Sequence, residues 1–414
     1  MRRRRAFYLP GYDPFHPRRY RELYRREGAR QAELSGYEIA LTPKEGPRYG
    51  WTVTSVQDGA PVRTEVDVFV WSDLVRGSMS ASISATYWQL VRTAWVYVAS
   101  GTLRRLTWLR RGPVVAALYP AAVLIGQLLL SLLAAWIAAS ILASGLAALL
   151  GLAGRTPWPW LTSGLWWAAF LGGIVVALRW WKRQDRRFYA HYLMHDYAFA
   201  AKLKGATPPE LKRRTGAFAC DIAAALEGDW DEVLVVGHSS GAHLAVSAVA
   251  EAVRGGAVRP GGPVLSLLTL GQVMPMVSFL PRAEKLRGDL AFLSASDALT
   301  WVDVTAPGDG CAFALCDPVA VSGVQPDGAR WPLVLSCAFT RYLRPETLHA
   351  LRHRYFRLHF QYLCAFDRLR GEPGEYDYFR VTAGPLTLAE RFRGRRPSPS
   401  RIDVPASAHV SVPA

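Results

Sequence analysis

Residues Gly237-His238-Ser239-Ser240-Gly241 make a G-x-S-x-G turn, a spacing suited to a serine nucleophile. The apolar run 233–236 leads into it and the small-residue helical pattern of 242–250 follows at once, so a strand, a sharp turn and a helix meet at Ser239. Such a turn strains its central residue, and strand and helix can approach only if the residues two before and two after are small, as Gly237 and Gly241 are. The serine hydroxyl then projects above the sheet edge, beside a helix N-terminus whose N–H groups and positive dipole end suit a developing oxyanion. A Gly/Ser turn that merely joins a strand to a helix has the same composition, so the chain must also supply an acid and a base. His191 and His195 stand four apart on one helical face. The zinc-peptidase pattern needs Glu directly after the first of these, and Tyr192 stands there, so the pair reads as packing or interfacial and no metal is expected.

On GHSSG in its strand-turn-helix setting the chain resembles the α/β-hydrolase superfamily. The resemblance implies an α/β fold, a mostly parallel sheet flanked by helices, with no cofactor and with nucleophile, acid and histidine in that chain order. The acid belongs just past a strand end, where it can reach a histidine without being locked in the sheet. Asp309, in the Pro-Gly-Asp-Gly turn after the strand pattern of 300–305, fits that place; Asp303 lies inside the strand and Asp317 further out. An ordinary turn in which Asp tolerates the backbone would look the same. Of the later histidines, His349 and His353 stand among arginines, whereas His359 lies among apolar and aromatic neighbours in 358–363 and is the expected base; a structural histidine at a helix start is the alternative. His238 belongs to the elbow. The resemblance further implies a second oxyanion donor from a turn after the first strand, which assigns the backbone N–H of Tyr12, beside Gly11, to work with that of Ser240.

Positioning these groups requires a sheet. Before the nucleophile, 6–9, 37–41, 50–56 and 65–71 read as strands and 17–34 as an exposed amphipathic helix, giving a first part of the domain over 1–76. A second part over 182–390 holds a helix at 186–226, strands at 264–270, 300–305 and 332–339, a helix at 282–293 and a last strand at 376–381. Residues 391–414, rich in Arg, Pro and Ser, read as a disordered tail.

Between the two parts the pattern changes. Residues 77–111 mix Trp and Tyr with Arg, as a helix at a membrane interface does. Residues 112–154 carry no charge over 43 positions and 156–178 none over 23, against the about 20 that cross a bilayer core. The longer run reads as one long helix or as two spans. If Gly11 and Ser239 build one site, both flanks lie on one side and the number of spans is even, so a transmembrane hairpin is placed within 112–181, with spans near 116–148 and 161–181 and Pro157-Trp158-Pro159-Trp160 as its tip. The arginines flanking the hairpin make both flanks, and both termini, cytoplasmic by the positive-inside rule, on a multi-pass inner (plasma) membrane protein. A buried hairpin of a soluble protein is the alternative.

The whole chain has 414 residues, half of them hydrophobic, 15 Trp and a net charge of +16. Nucleic acid is not an expected partner, because the basic residues gather at membrane flanks and helix faces rather than in an aromatic-interleaved patch. Five cysteines without tight pairing suit a reducing compartment, and Cys311 and Cys316 read as packing residues. The expectation is a membrane-anchored serine hydrolase acting on a carboxylic ester or thioester, lipid-like because an anchored cleft can take an acyl chain from the bilayer; its partners are membrane lipids and that small-molecule substrate. An acyltransferase using the same serine, and a non-catalytic membrane scaffold, are the rival readings.

Overall fold

The computed structural model describes residues 1–79, 82–156, 158–372 and 374–413. The chain divides into two compact units, one of Met1–Gly77, Val96–Val114 and Ala200–Ala414, the other of Ser78–Trp95 and Val115–Phe199. The first unit holds eight strands: β1 Arg3–Leu9, β2 Glu38–Pro43, β3 Gly50–Gln57, β4 Ala60–Val68, β5 Glu232–His238, β6 Val264–Leu270, β7 Thr300–Thr305 and β8 Leu333–Ser336. They form one mixed sheet in the order β2-β3-β4-β1-β5-β6-β7-β8, antiparallel from β2 to β4 and parallel from β4 to β8. The helices include α1 Arg18–Ser35, α2 Ile83–Ala99, α3 Thr102–Leu109, α4 Arg111–Leu152, α5 Pro159–Arg183, α6 Ala190–Ala201, α7 Pro209–Leu226, α8 Gly241–Arg254, α9 Glu284–Ala295, α10 Tyr355–His359 and α11 Tyr378–Ala383.

Every residue of β5 is buried, as a parallel strand covered on both faces requires, whereas the edge strand β2 is partly or fully exposed along its length. In register, Leu9 of β1 pairs with Gly237 of β5, Gly237 with Thr269 of β6, and Leu270 with Val304 of β7, so these strands finish at one edge. The chain winds from β1 towards β4 on one side and from β5 towards β8 on the other. The carboxyl ends of β1 and β5 therefore flank the switch point, where open α/β sheets bind ligands.

Strand β1 begins three residues earlier than its apolar run, at Arg3, because carboxylates await each arginine. Arg4 is fully buried and its Nε donates to Glu232 Oε2 at 2.6 Å, while its other nitrogens donate to the carbonyls of Gly384 and Leu386. Glu232 Oε1 in turn accepts from Ser266 Oγ at 2.6 Å and Leu388 N at 2.7 Å. Arg5 is paired with Glu65 and Asp67.

Four local expectations are corrected. The helix expected over 77–111 is broken into α2 and α3 at Gly101, which has φ of 69°. Residues 376–381 do not add a strand: Asp377 accepts from the N–H groups of Phe379 and Arg380 at 2.8 and 3.1 Å, capping α11, which buries Tyr378, Phe379 and Val381. The helix expected over 186–226 is interrupted between α6 and α7, where Lys204 and Gly205 take positive φ and Pro208 and Pro209 follow. Residues 391–413, composed like a disordered tail, lie along the domain, because their backbone finds partners there. Ile402 N donates to Leu315 O and Asp317 N to Ile402 O, both at 2.8 Å; Ser398 N donates to Val334 O; and the buried Arg287 donates to Ser411 O.

The second unit has the opposite surface logic. Helix α4 is one continuous 42-residue helix, so the longer uncharged run is a single helix rather than two; α5 has 25 residues. At 1.5 Å per residue these measure about 63 and about 38 Å, and both are long and apolar enough to cross a bilayer. The buried stripe of α4 is Leu124, Gln127, Ser131, Ala135 and Ala139, mostly small or polar, and a Cβ on Gly173 of α5 would lie 3.0 Å from Ala135 Cβ. Leu129, Leu130, Leu133, Trp136, Ile137 and Ile141 face outwards instead, and α5 buries no residue at all. Small residues at a contact and large apolar ones outside is a pattern that membrane helices share. Pro157 of the expected hairpin tip lies outside the described residues.

Replacing Glu232 by Ala leaves the Arg4 guanidinium buried without its counter-ion and is expected to cost about 3–5 kcal/mol of stability, whereas Arg4→Met with Glu232→Leu recovers most of it. Unfolding midpoints of the detergent-solubilised variants measure both.

Candidate functional site

Ser239 has φ of 58°, a left-handed conformation that a serine adopts only under constraint. The constraint is local crowding. A Cβ on Gly237 would come within 2.7 Å of Ala242 Cα and Ala245 Cβ, and one on Gly241 would collide with the carbonyls of Leu9 and Pro10 at the end of β1. The turn is pinned further by Ser239 N donating to Leu270 O at 2.9 Å and by Ala242 N donating to Ser239 O at 3.1 Å. Ser239 itself is partly exposed. The N–H of Ser240, at the start of α8, has no partner among the described residues.

Asp309 and His359 meet. His359, the last residue of α10, has Nδ1 2.7 Å from Asp309 Oδ2, and both side chains are buried. Asp309 sits in the turn after β7, its N–H donating to Ala306 O. Its carboxylate also accepts from Tyr362 Oη at 3.0 Å on Oδ2 and from Cys311 N at 2.9 Å on Oδ1. Burial by itself would raise this carboxyl, but the charge and hydrogen bond of His359, with the bonds from Cys311 and Tyr362, outweigh it and hold Asp309 below the usual carboxylate range. Tyr362 Oη accepts from Ala306 N at 2.9 Å, so one phenol ties the acid to the strand end.

The histidine and the serine converge on one strand end. Gly271, at φ 51°, follows Leu270, which accepts the Ser239 N–H, and a Cβ on Gly271 would lie 3.2 Å from His359 Cε1. With Nδ1 engaged by the carboxylate, Nε2 of His359 is the nitrogen left for a serine proton. The His238 ring lies 4.9 Å from that of His359, and its Nε2 is 3.0 Å from His359 O, a carbonyl that only accepts, so His238 carries its proton on Nε2. Burial, reinforced by the nearby His359, pushes the His238 imidazole down to about 3.

The other expected residues sort by their surroundings. Asp303 is buried in β7, accepts from Thr269 Oγ1 at 2.6 Å and is pushed up to about 8 by burial, and Asp317 caps a short helix through the N–H groups of Val319 and Ala320. His349 and His353 are exposed. Gly11 packs against Ser239, but the N–H of Tyr12 is not left for an oxyanion: it donates to Ser240 Oγ at 2.8 Å. Tyr362, Gly271 and the bond from His238 were not read from the sequence. Tyr362 is visible there only as a tyrosine three residues after the histidine, and nothing local signals the other two.

Asp309, Cys311 and His359 place carboxylate, thiol and imidazole atoms within 4.8 Å of one another, the one such set among the described residues. Burial and the Asp309 charge push the Cys311 thiol up, away from the thiolate a metal needs, and the carboxylate is already committed to His359. In the second unit His195 Nδ1 lies 2.7 Å from Gln89 Oε1, and no third ligand joins it and His191 among the described residues. No protein-family model, no curated protein and no solved structure matches the chain.

His238 is neutral in the fold down to about pH 3, whereas an unfolded histidine titrates near 6.5. Between those values the unfolded chain binds a proton that the native one refuses, so stability falls as pH drops through that window and is regained as pH rises, by up to about 1.4 kcal/mol per pH unit. His243, pushed down to about 4 by burial, adds to the slope. Unfolding measured at several pH values should give a shallower slope for His238→Gln than for the native protein.

Proposed function

We propose that the chain is a membrane-anchored serine hydrolase of the α/β-hydrolase kind that cleaves a lipid-like carboxylic ester or thioester. The observation that carries this is Ser239, at φ 58° in the turn after β5, beside the strand end that also receives the Asp309–His359 pair. Left-handed backbone at a serine and a buried carboxylate bonded to a histidine are separate demands, and a passive turn does not require both at one sheet edge.

In the proposed reaction His359 Nε2 takes the Ser239 proton as Oγ adds to the substrate carbonyl, and Asp309 holds the ring orientation and stabilises the imidazolium. The Ser240 N–H donates to the oxyanion at the head of α8. Collapse expels the alcohol or thiol, which takes the proton from His359. Water then adds to the acyl-enzyme with His359 as base, and the acid leaves as Ser239 regains its proton.

The lipid part of the proposal rests on the apolar helices. Helix α4 starts beside the acid: Arg110 Nε donates to Ala314 O at 2.9 Å, and a Cβ on Gly112 would lie 3.3 Å from Gly310 O, one residue past Asp309. Helix α2 presents Trp88, Val91, Trp95 and Val98 to the outside at alternating three- and four-residue spacing, an apolar face suited to a bilayer surface. Two spans with arginines at both flanks would keep the sheet on the cytoplasmic side.

Fluorophosphonate labelling of the full chain in detergent tests the chemistry. Labelling should vanish in Ser239→Ala and slow by about 10³–10⁴ in Asp309→Asn and His359→Ala. A folded native chain that takes no label would favour the scaffold reading, and an acylated acceptor in place of free acid among the products would favour a transferase. Alkaline carbonate extraction tests the anchor: the chain should stay with the membrane pellet, and its release to the supernatant would remove the lipid argument.

A further inference from the structure

The resemblance asks for two oxyanion donors, and of the two backbone groups it nominates only the Ser240 N–H is unengaged. The Tyr12 N–H donates to Ser240 Oγ at 2.8 Å. Ser240 stands at the N-cap of α8, where a serine commonly turns its oxygen onto a helix N–H, yet it makes no capping bond. A hydroxyl carries one proton besides its lone pairs, and here the proton has no acceptor among the described residues. The residue is buried. A Cβ on Gly11 would lie 3.3 Å from Ser240 Oγ and 3.4 Å from Ser239 Oγ, so both hydroxyls border the small space that the glycine leaves.

We infer that the Ser240 hydroxyl, oriented by the Tyr12 N–H, is the second oxyanion donor of this site. The inference rests on the serine-hydrolase reading and adds a residue to it. As Ser239 Oγ adds to the carbonyl, the oxygen that gains the charge accepts from the Ser240 N–H and from the Ser240 O–H. No proton is transferred at Ser240 and no bond to it forms or breaks. The Tyr12 N–H, donating to the same hydroxyl oxygen, polarises it and makes it a better donor. One residue thus supplies two donors, and the turn after β1 acts through it rather than directly. Gly11 follows from the same geometry, because a side chain there would press on both hydroxyls.

The test is steady-state hydrolysis of a medium-chain p-nitrophenyl ester by the full chain in detergent, for the native protein, Ser239→Ala, Ser240→Ala and Ser240→Cys, with a thermal midpoint for each. Ser240→Ala and Ser240→Cys should each lower kcat by about a hundredfold or more with KM changed less than about threefold, because the bond is made only as charge develops. The thiol keeps the volume but donates weakly, so a cysteine variant with native kcat would show the side chain to be a spacer and overturn the inference. So would an alanine variant that keeps kcat within about threefold of native. If the alanine variant loses its thermal transition, the cysteine variant decides. Native turnover that Ser239→Ala does not remove would sink the hydrolase reading and this inference together; Ser239-dependent turnover indifferent to both Ser240 variants sinks this inference alone.

Discussion

Three backbone segments crowd together at Ser239, and the candidate site depends on that contact. The end of β1 presses on Gly241, the start of α8 presses on Gly237, Gly11 after β1 lies against Ser239, and the serine between them is held at positive φ. The contacts at Gly237 and Gly241 leave no room for a side chain, so strand, turn and neighbouring strand fix one another. A left-handed serine costs of order 1–3 kcal/mol, and it persists only because the surrounding structure leaves the backbone no other course. The same crowding sends the serine N–H to Leu270 and leaves the next N–H unengaged at the head of a helix. Strain and chemistry are thus two consequences of one packing arrangement.

A second feature is the hydrogen-bonded network that holds the acid and the histidine. Asp309 accepts from a histidine, a tyrosine and a backbone N–H; Tyr362 accepts in turn from Ala306; and His238 donates to the carbonyl of His359. Beneath them Arg4 and Glu232 are completely buried and share their remaining bonds with Ser266 and the backbone of 384–388. Such networks hold side chains in single orientations, which a proton relay needs, and they make the removal of any one member costly. Arg4 and Glu232 tie β1 to β5, the two strands whose ends bracket the proposed oxyanion position.

The apolar helices follow another rule. Where the sheet unit hides its large apolar residues, α4 and α5 display theirs, and Gly173 of α5 lies against Ala135 of α4. In water this would be an unusually large exposed apolar surface; in lipid it is ordinary. The first residues of α4 belong to the sheet unit, where a Cβ on Gly112 would lie 3.3 Å from Gly310 O.

Much of this was legible in the sequence where the cause is local. The strand-turn-helix around Ser239 and the need for Gly237 and Gly241 follow from a few adjacent residues, the two long helices from uninterrupted apolar runs, and the place of Asp309 from a turn after a strand. What only the tertiary structure decided lies between residues far apart in the chain. The Arg4–Glu232 pair, and the Ser240 hydroxyl that intercepts Tyr12, each join positions 228 residues apart, and the acid meets its histidine across 50. Residues 391–413 look disordered by composition and are ordered by backbone partners that no composition records, and 376–381 alternates like a strand yet is helical because Asp377 caps it. Spacing along the chain specifies local backbone geometry. Which donor faces which acceptor is decided when the sheet brings its strand ends together, and that information is spread over the whole chain.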